Sequence, residues 1–291
     1  MHDLIQRLLV AGPVLTDGAW GTELQARGLA LGEFPDAWNL THPELVEAVA
    51  RAYVEAGSRV ILTNTFGANR VRLAAHGLAG QTAELNRCGV EISRRAAGDG
   101  VRVFASIGPS GKLLLADETS ADELSAAFAE QAQALAAGGA DALVVETMSD
   151  PAEAVLAVTA ARATGLPIVA CLVFDSGRDR DRTMMGTTPE QAVAALTAAG
   201  ADVIGANCGQ GIEGFVQICR RLRAATDRPL WIKANAGLPR MVDGRAVYEV
   251  SPEQFAGHVP ALLDAGANFI GGCCGTGPAF IAQLHRGGLS R

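Results

Sequence analysis

Charge and aromatic rings are both scarce in this chain. Charged residues make up 19% of the 291 and aromatic residues 5%, while hydrophobic residues reach 49%. That balance excludes a disordered chain and allows a large buried core. The net charge is −7 and no basic run could neutralise a string of phosphates, so nucleic acid is not an expected partner. No apolar run reaches the ~20 residues that cross a bilayer, so no membrane contact is expected. The stretch 1–13 lacks the charged flank, long apolar core and small-residue cleavage site of a secretory leader. The six cysteines are not spaced like a secreted disulfide framework. A cytoplasmic protein is the resulting expectation.

What is present is a steady alternation. Short apolar, β-branched runs fall at 14–17, 59–65, 101–107, 142–147, 167–174, 203–207, 230–234 and 269–273. Between them lie Ala-rich stretches with apolar residues at helical spacing, clearest at 43–55, 124–137, 151–163, 189–199, 215–225 and 252–265. Four of these open with Pro at the first helical position, at Pro43, Pro151, Pro189 and Pro252. Asp150, Thr188 and Ser251 precede three of those prolines and are good N-caps. A partial repeat supports the pattern: "AGSRVILTNTF", "GGADALVVETM", "AGADVIGANCG" and "AGANFIGGCCG" each join a helix end, a capping Gly and a strand. The architecture predicted is an α/β fold, a (β/α)8 TIM barrel in a single domain over 1–291, with a doubly wound open sheet as the alternative.

Such barrels keep their chemistry at the C-terminal ends of the strands. Three cysteines stand there: Cys208 in "GANCG", and Cys273 with Cys274 in "GGCCG". The sixth and eighth strands are separated by one strand, so their ends can converge. Three thiolates at one point suit Zn²⁺ and leave a fourth position open. Cys88, Cys171 and Cys219 fall on predicted helices or inside a strand and read as space-filling. Asp17-Gly18, Thr63 to Thr65, Glu146, Asn207 and Asn235 are further polar strand ends. A carboxylate at the mouth could hold the ammonium group of a small substrate.

At this point "GGCCG" with its upstream "NC", together with "LTDGAWGTELQARG" and "TNTFGANRVRL", resembles the homocysteine S-methyltransferase family. "RTMMGTT" and "KANAGLP" are similar to short bacterial members. The resemblance runs from about Leu4 to Leu284. It implies zinc ligands at Cys208, Cys273 and Cys274, and homocysteine contacts at Asp17, Gly18 and Glu146. Thr22 and Phe66 lie in matching motifs and would shape the pocket. The activity implied is transfer of a methyl group to homocysteine sulfur, giving methionine.

The donor is less legible. The aromatic positions of betaine-type members fall on Phe34, Gly67 and Thr147, of which one is aromatic; Trp20 and Trp38 lie nearby. "ETMSD" from Glu146 instead looks like the methionine synthase module, which meets a methylated corrinoid on another domain. The donor is therefore expected to be betaine or a related small molecule, or a methylcorrinoid on a separate partner protein. A homo-oligomer is left open. The loop "FDSGRDRDRTMMG" reads as solvated, or as a lid over the mouth. Three alternatives stand: another small thiol as acceptor, a structural zinc in a binding subunit, and an aldolase-like barrel using Lys233 as a Schiff base. A structural zinc normally takes four protein ligands, and no fourth Cys or His lies near the motifs.

Overall fold

The computed structural model describes residues 2–242 and 245–289; the ends of the domain expected over 1–291 lie outside the described residues. Ten strands occur among these residues: β1 (Val14–Leu15), β2 (Val60–Ile61), β3 (Arg102–Ile107), β4 (Ala142–Met148), β5 (Ile168–Leu172), β6 (Val203–Gly211), β7 (Leu230–Asn235), β8 (Arg240–Val242), β9 (Arg245–Val247) and β10 (Phe269–Gly272). Eight form one parallel sheet in the order β1-β10-β7-β6-β5-β4-β3-β2. Its two outer strands meet. The Arg59 N–H donates to the Leu15 carbonyl at 2.9 Å, and the Leu62 N–H donates to Asp17 Oδ2 at 2.7 Å. The sheet is thus the predicted (β/α)8 barrel. β8 and β9 form a separate hairpin after β7.

Alternation along each strand sorts the side chains. Val60, Phe104, Val144, Val169, Val203, Trp231 and Phe269 point inward and make one cluster. Ile5 and Leu8, from the helix Asp3–Leu9, join it. Trp231 lies between Phe104 and Phe269, with ring centroids 5.9 and 5.3 Å away. The outward residues, such as Leu15, Ile61, Val103 and Leu143, pack on the helices.

Pro43–Glu55 and Pro189–Ala199 form with the predicted bounds. The caps act as expected. Asp150 Oδ1 accepts from the Ala152 N–H at 2.8 Å, and Thr188 and Ser251 make reciprocal capping boxes with Gln191 and Gln254. In the four repeats, Gly57, Gly139, Gly200 and Gly266 take φ of 103, 90, 100 and 94°. Only glycine adopts these values without strain, which explains a Gly at each helix-to-strand turn.

Several boundaries differ from expectation. The helix predicted over 252–265 is two, Pro252–Gly257 and Val259–Asp264, because Pro260 lacks the N–H that would continue the first. β1 and β2 have two residues each, since beyond Leu15 a side-chain carboxylate takes over the seam. β6 runs past the predicted residue 207 to Gly211.

Candidate metal centre and substrate site

The strand ends bring the three cysteines together. Among the described residues, Cys208, Cys273 and Cys274 form a cluster whose sulfurs all lie within 4.8 Å of one another, joined by no fourth Cys, His, Asp or Glu. The Cys208 and Cys274 sulfurs are 3.8 Å apart. Two thiolates bound at about 2.3 Å and a tetrahedral angle stand about 3.8 Å apart, so the donor set fits a tetrahedral ion.

The backbone makes this convergence. Cys208 takes φ 61°, in the left-handed region, with Gly209 at 80° behind it. The Cys273 N–H donates to the Ala234 carbonyl (2.7 Å), and the Ala236 N–H to the Cys274 carbonyl (2.9 Å). Asn235 Oδ1 accepts from the Cys274 N–H at 3.1 Å. β7 therefore holds the Cys–Cys pair. A Cβ at Gly272 would come within 2.1 Å of Thr276 Oγ1, so glycine is required where the chain turns back.

The thiols share charge unevenly. Hydrogen bonds from Cys273 and Cys274, with help from the Gly209 N–H and Asn235, pull the Cys208 thiol far below its usual 9.0. The same hydrogen bonding to Cys208 pushes Cys273 and Cys274 upward. The other cysteines differ. Burial raises Cys219 to about 12 and Cys171 well above 9.0, as expected of thiols that fill space.

Beside the sulfurs lies a buried group of charges. Lys233 Nζ is 2.5 Å from Asp17 Oδ1, and both side chains are almost wholly buried. Asp17 Oδ2 accepts from Trp20 Nε1 and from the Leu62 N–H, each at 2.7 Å. Glu146 is 7% exposed and accepts from Ser106 Oγ at 2.5 Å. Burial raises its pKa, against the lowering pull of Lys233. Burial alone would lower Lys233, but the charges of Asp17 and Glu146 outweigh it and hold the amine protonated. A Schiff-base lysine needs a neutral amine, so the aldolase-like alternative loses its nucleophile.

Asn207 is buried beside Glu146, while Gly18 packs where a Cβ would meet the Thr276 carbonyl at 2.1 Å. Thr22 is half-buried in the helix Gly21–Ala26. Phe66 follows β2, its ring against Gly108 and 5.5 Å from the Arg72 guanidinium carbon. Thr63, Asn64 and Thr65 stitch loops together, through the Ser106 N–H, the Pro35 carbonyl and the Ser106 carbonyl. The aromatic candidates do not form a cage. Phe34 stacks on His76 at 4.4 Å, Trp38 is buried against Glu33, and a Cβ at Gly67 would strike Phe34 at 2.8 Å. The loop after β5 is tied down: Gln210 Nε2 donates to the Phe174 and Arg180 carbonyls, and Arg221 pairs with Asp181. Sequence reasoning missed Ser106, and it named Thr147 only as a donor-side position and not as a partner of Asn207. Inward alternation on β3 would have pointed to Ser106.

The homocysteine S-methyltransferase family model matches residues 14–287. The chain belongs to this family. The match spans nearly the whole sequence. It is 32% identical over 300 residues to a methionine synthase of Mycobacterium tuberculosis and 30% over 303 residues to that of Mycobacterium leprae. Those alignments cover 97% and 98% of the chain, which spans about a quarter (24%) of either synthase. The metallated form of the homocysteine methyltransferase MmuM from Escherichia coli superposes with a TM-score of 0.78 at 28% identity, over 94% of this chain and 96% of that one.

Proposed function

We propose that this homocysteine S-methyltransferase forms methionine at a zinc ion held by Cys208, Cys273 and Cys274, within one domain spanning 1–291. The observation that carries the reading is the cluster of three sulfurs within 4.8 Å at the mouth of the barrel, beside two buried carboxylates.

Glu146 receives the ammonium group of homocysteine. Asp17 adds negative charge but spends its oxygens on Lys233, Trp20 and Leu62. With Lys233 counted, Asp17 and Glu146 leave one net negative charge, which suits one substrate ammonium. Gly18 lets the chain after β1 pack closely at the mouth, and Thr22 and Phe66 shape the pocket. Asn207 and Asn235 border it, and Asn235 also holds Cys274 through its N–H. The acceptor sulfur must shed its proton, and a free thiol with a pKa of about 8.5 is mostly protonated at neutral pH. Bound zinc would supply Lewis acidity that lowers this pKa. The S–C bond then forms as the donor–C bond breaks, and the electron pair of the broken bond leaves with the donor. Catalysis beyond this is positioning of the two reacting atoms.

For the donor, the favoured reading is a methylcorrinoid on a separate protein. It rests on the near full-length similarity to one quarter of a methionine synthase, and on the missing aromatic cage. A small donor such as betaine or a sulfonium is the second reading, favoured by the matched length of MmuM. The test is methionine formation by zinc-loaded protein, with methylcobalamin, betaine and S-methylmethionine offered singly. Turnover with methylcobalamin that chelation abolishes and zinc restores is expected. Chelator-sensitive turnover with betaine or S-methylmethionine but not methylcobalamin overturns the donor reading. No methionine from any of them overturns the function.

A further inference from the structure

The carboxylate and thiolate halves of the mouth are joined by one buried side chain. β4 pairs with β5 at Val145–Ala170 and next at Met148–Leu172, so β4 carries one extra residue across Glu146 and Thr147. Thr147 sits in this bulge at φ 60°, a left-handed conformation that a β-branched residue rarely adopts. β6 pairs with β7 at Asn207–Lys233 and next at Gly211–Asn235, so β6 carries two extra residues there, with Cys208 at φ 61°. Two irregular strand ends thus face each other across β5.

Asn207 links them. Its Oδ1 accepts from the Thr147 N–H at 2.8 Å. Its Nδ2 donates to Thr147 Oγ1 at 2.7 Å and to Glu146 Oε2 at 3.3 Å. The side chain is completely buried. Both ends of the amide thus reach β4, Nδ2 also donates to Cys273 Sγ at 3.9 Å, and the backbone of Asn207 leads directly into Cys208. Bulges beside active sites re-aim side chains, and strained residues persist only where their surroundings hold them.

We infer that Asn207 and Thr147 form a positioning clamp that holds the Glu146 carboxylate at the height of the sulfur cluster, so that selectivity for an amino-bearing thiol depends on Asn207. Asn207 is then a positioning residue acting through Glu146. The inference rests on the proposed role of Glu146 as acceptor of the substrate ammonium.

The experiment compares binding of homocysteine with that of 4-mercaptobutanoate, the same thiol acid without its amino group. Calorimetry on zinc-loaded protein gives both Kd values without need of a methyl donor. Wild type prefers homocysteine, and Glu146→Gln loses that preference. In Asn207→Ala the preference falls by about tenfold or more, as expected when a hydrogen bond to a buried charge is removed, and zinc per chain is unchanged. Thr147→Gly keeps the backbone N–H for Asn207, relaxes the left-handed residue and removes the hydroxyl, so its fall is smaller, roughly a few-fold. An Asn207→Ala protein that keeps the preference while Glu146→Gln loses it overturns the clamp and leaves the ammonium reading intact. Equal weakening of both thiols, or loss of zinc, also overturns the clamp, because Asn207 would then act on the sulfur site or the fold. A wild type without preference overturns the ammonium reading, and the clamp with it.

Discussion

The two ends of the barrel are built by different rules. At the N-terminal end, Val60, Phe104, Trp231 and Phe269 alternate inward on regular strands and close over Ile5 and Leu8. At the C-terminal mouth β4 and β6 break register and place Thr147 and Cys208 at positive φ, and the strand ends bury Asp17, Lys233 and Glu146. The floor is what packing alone selects. The mouth contains conformations and charges that cost stability, which is where function is expected in such a barrel.

Substitutions at the two ends should separate accordingly. The largest effect is expected at the mouth: Cys273→Ala should lose zinc, measured by metal analysis, and slow methyl transfer more than about a hundredfold, with the fold preserved in circular dichroism. At the floor, Trp231→Ala should cost about 3–5 kcal/mol in chemical unfolding through the cavity it leaves, yet keep its zinc and its activity per folded molecule. A floor variant that sheds zinc would break the separation.

Lys233→Met probes the boundary. It strips the partner from a buried carboxylate that also closes the β1–β2 seam, and should cost on the order of 3 kcal/mol in the same unfolding measurement. A neutral or stabilising result would mean that Trp20 and the Leu62 N–H suffice to hold Asp17.

The last contrast concerns Asp36, whose carboxylate accepts from the Gly67 N–H and whose pKa burial raises to about 7 from 3.8. A raised carboxyl pKa means that the folded state binds the proton more tightly than the unfolded one. Asp36 therefore takes stability away as pH rises from about 4 to 7. Asp36→Asn should match wild type near pH 4 and exceed it in melting temperature above pH 7. Equal melting curves across that range would contradict the assignment.

Much of this was legible in the sequence, for identifiable reasons. Pro after a capping residue marked helix starts at Pro151, Pro189 and Pro252, and Gly at a helix end marked the turn into β4, β6 and β10. The barrel rule then directed attention to Cys208, Cys273 and Cys274, which the structure brings together. The pairing of Asp17 with Lys233 was hidden because it joins residues 216 positions apart across a seam that no local pattern encodes. The bulges at Thr147 and Cys208 were hidden too, since neither residue type favours positive φ and both conformations are imposed by neighbours on other strands. Asn207 read as a pocket residue because its position is visible in the sequence and its hydrogen-bond partners are not.

The most direct test of the central claim is X-ray absorption at the zinc edge, before and after homocysteine is added to the zinc-loaded protein. Three sulfur ligands that become four on addition are the result expected if Cys208, Cys273 and Cys274 hold the ion and the substrate thiolate joins them. A sulfur count that stays unchanged, or protein that binds no zinc, would contradict the account.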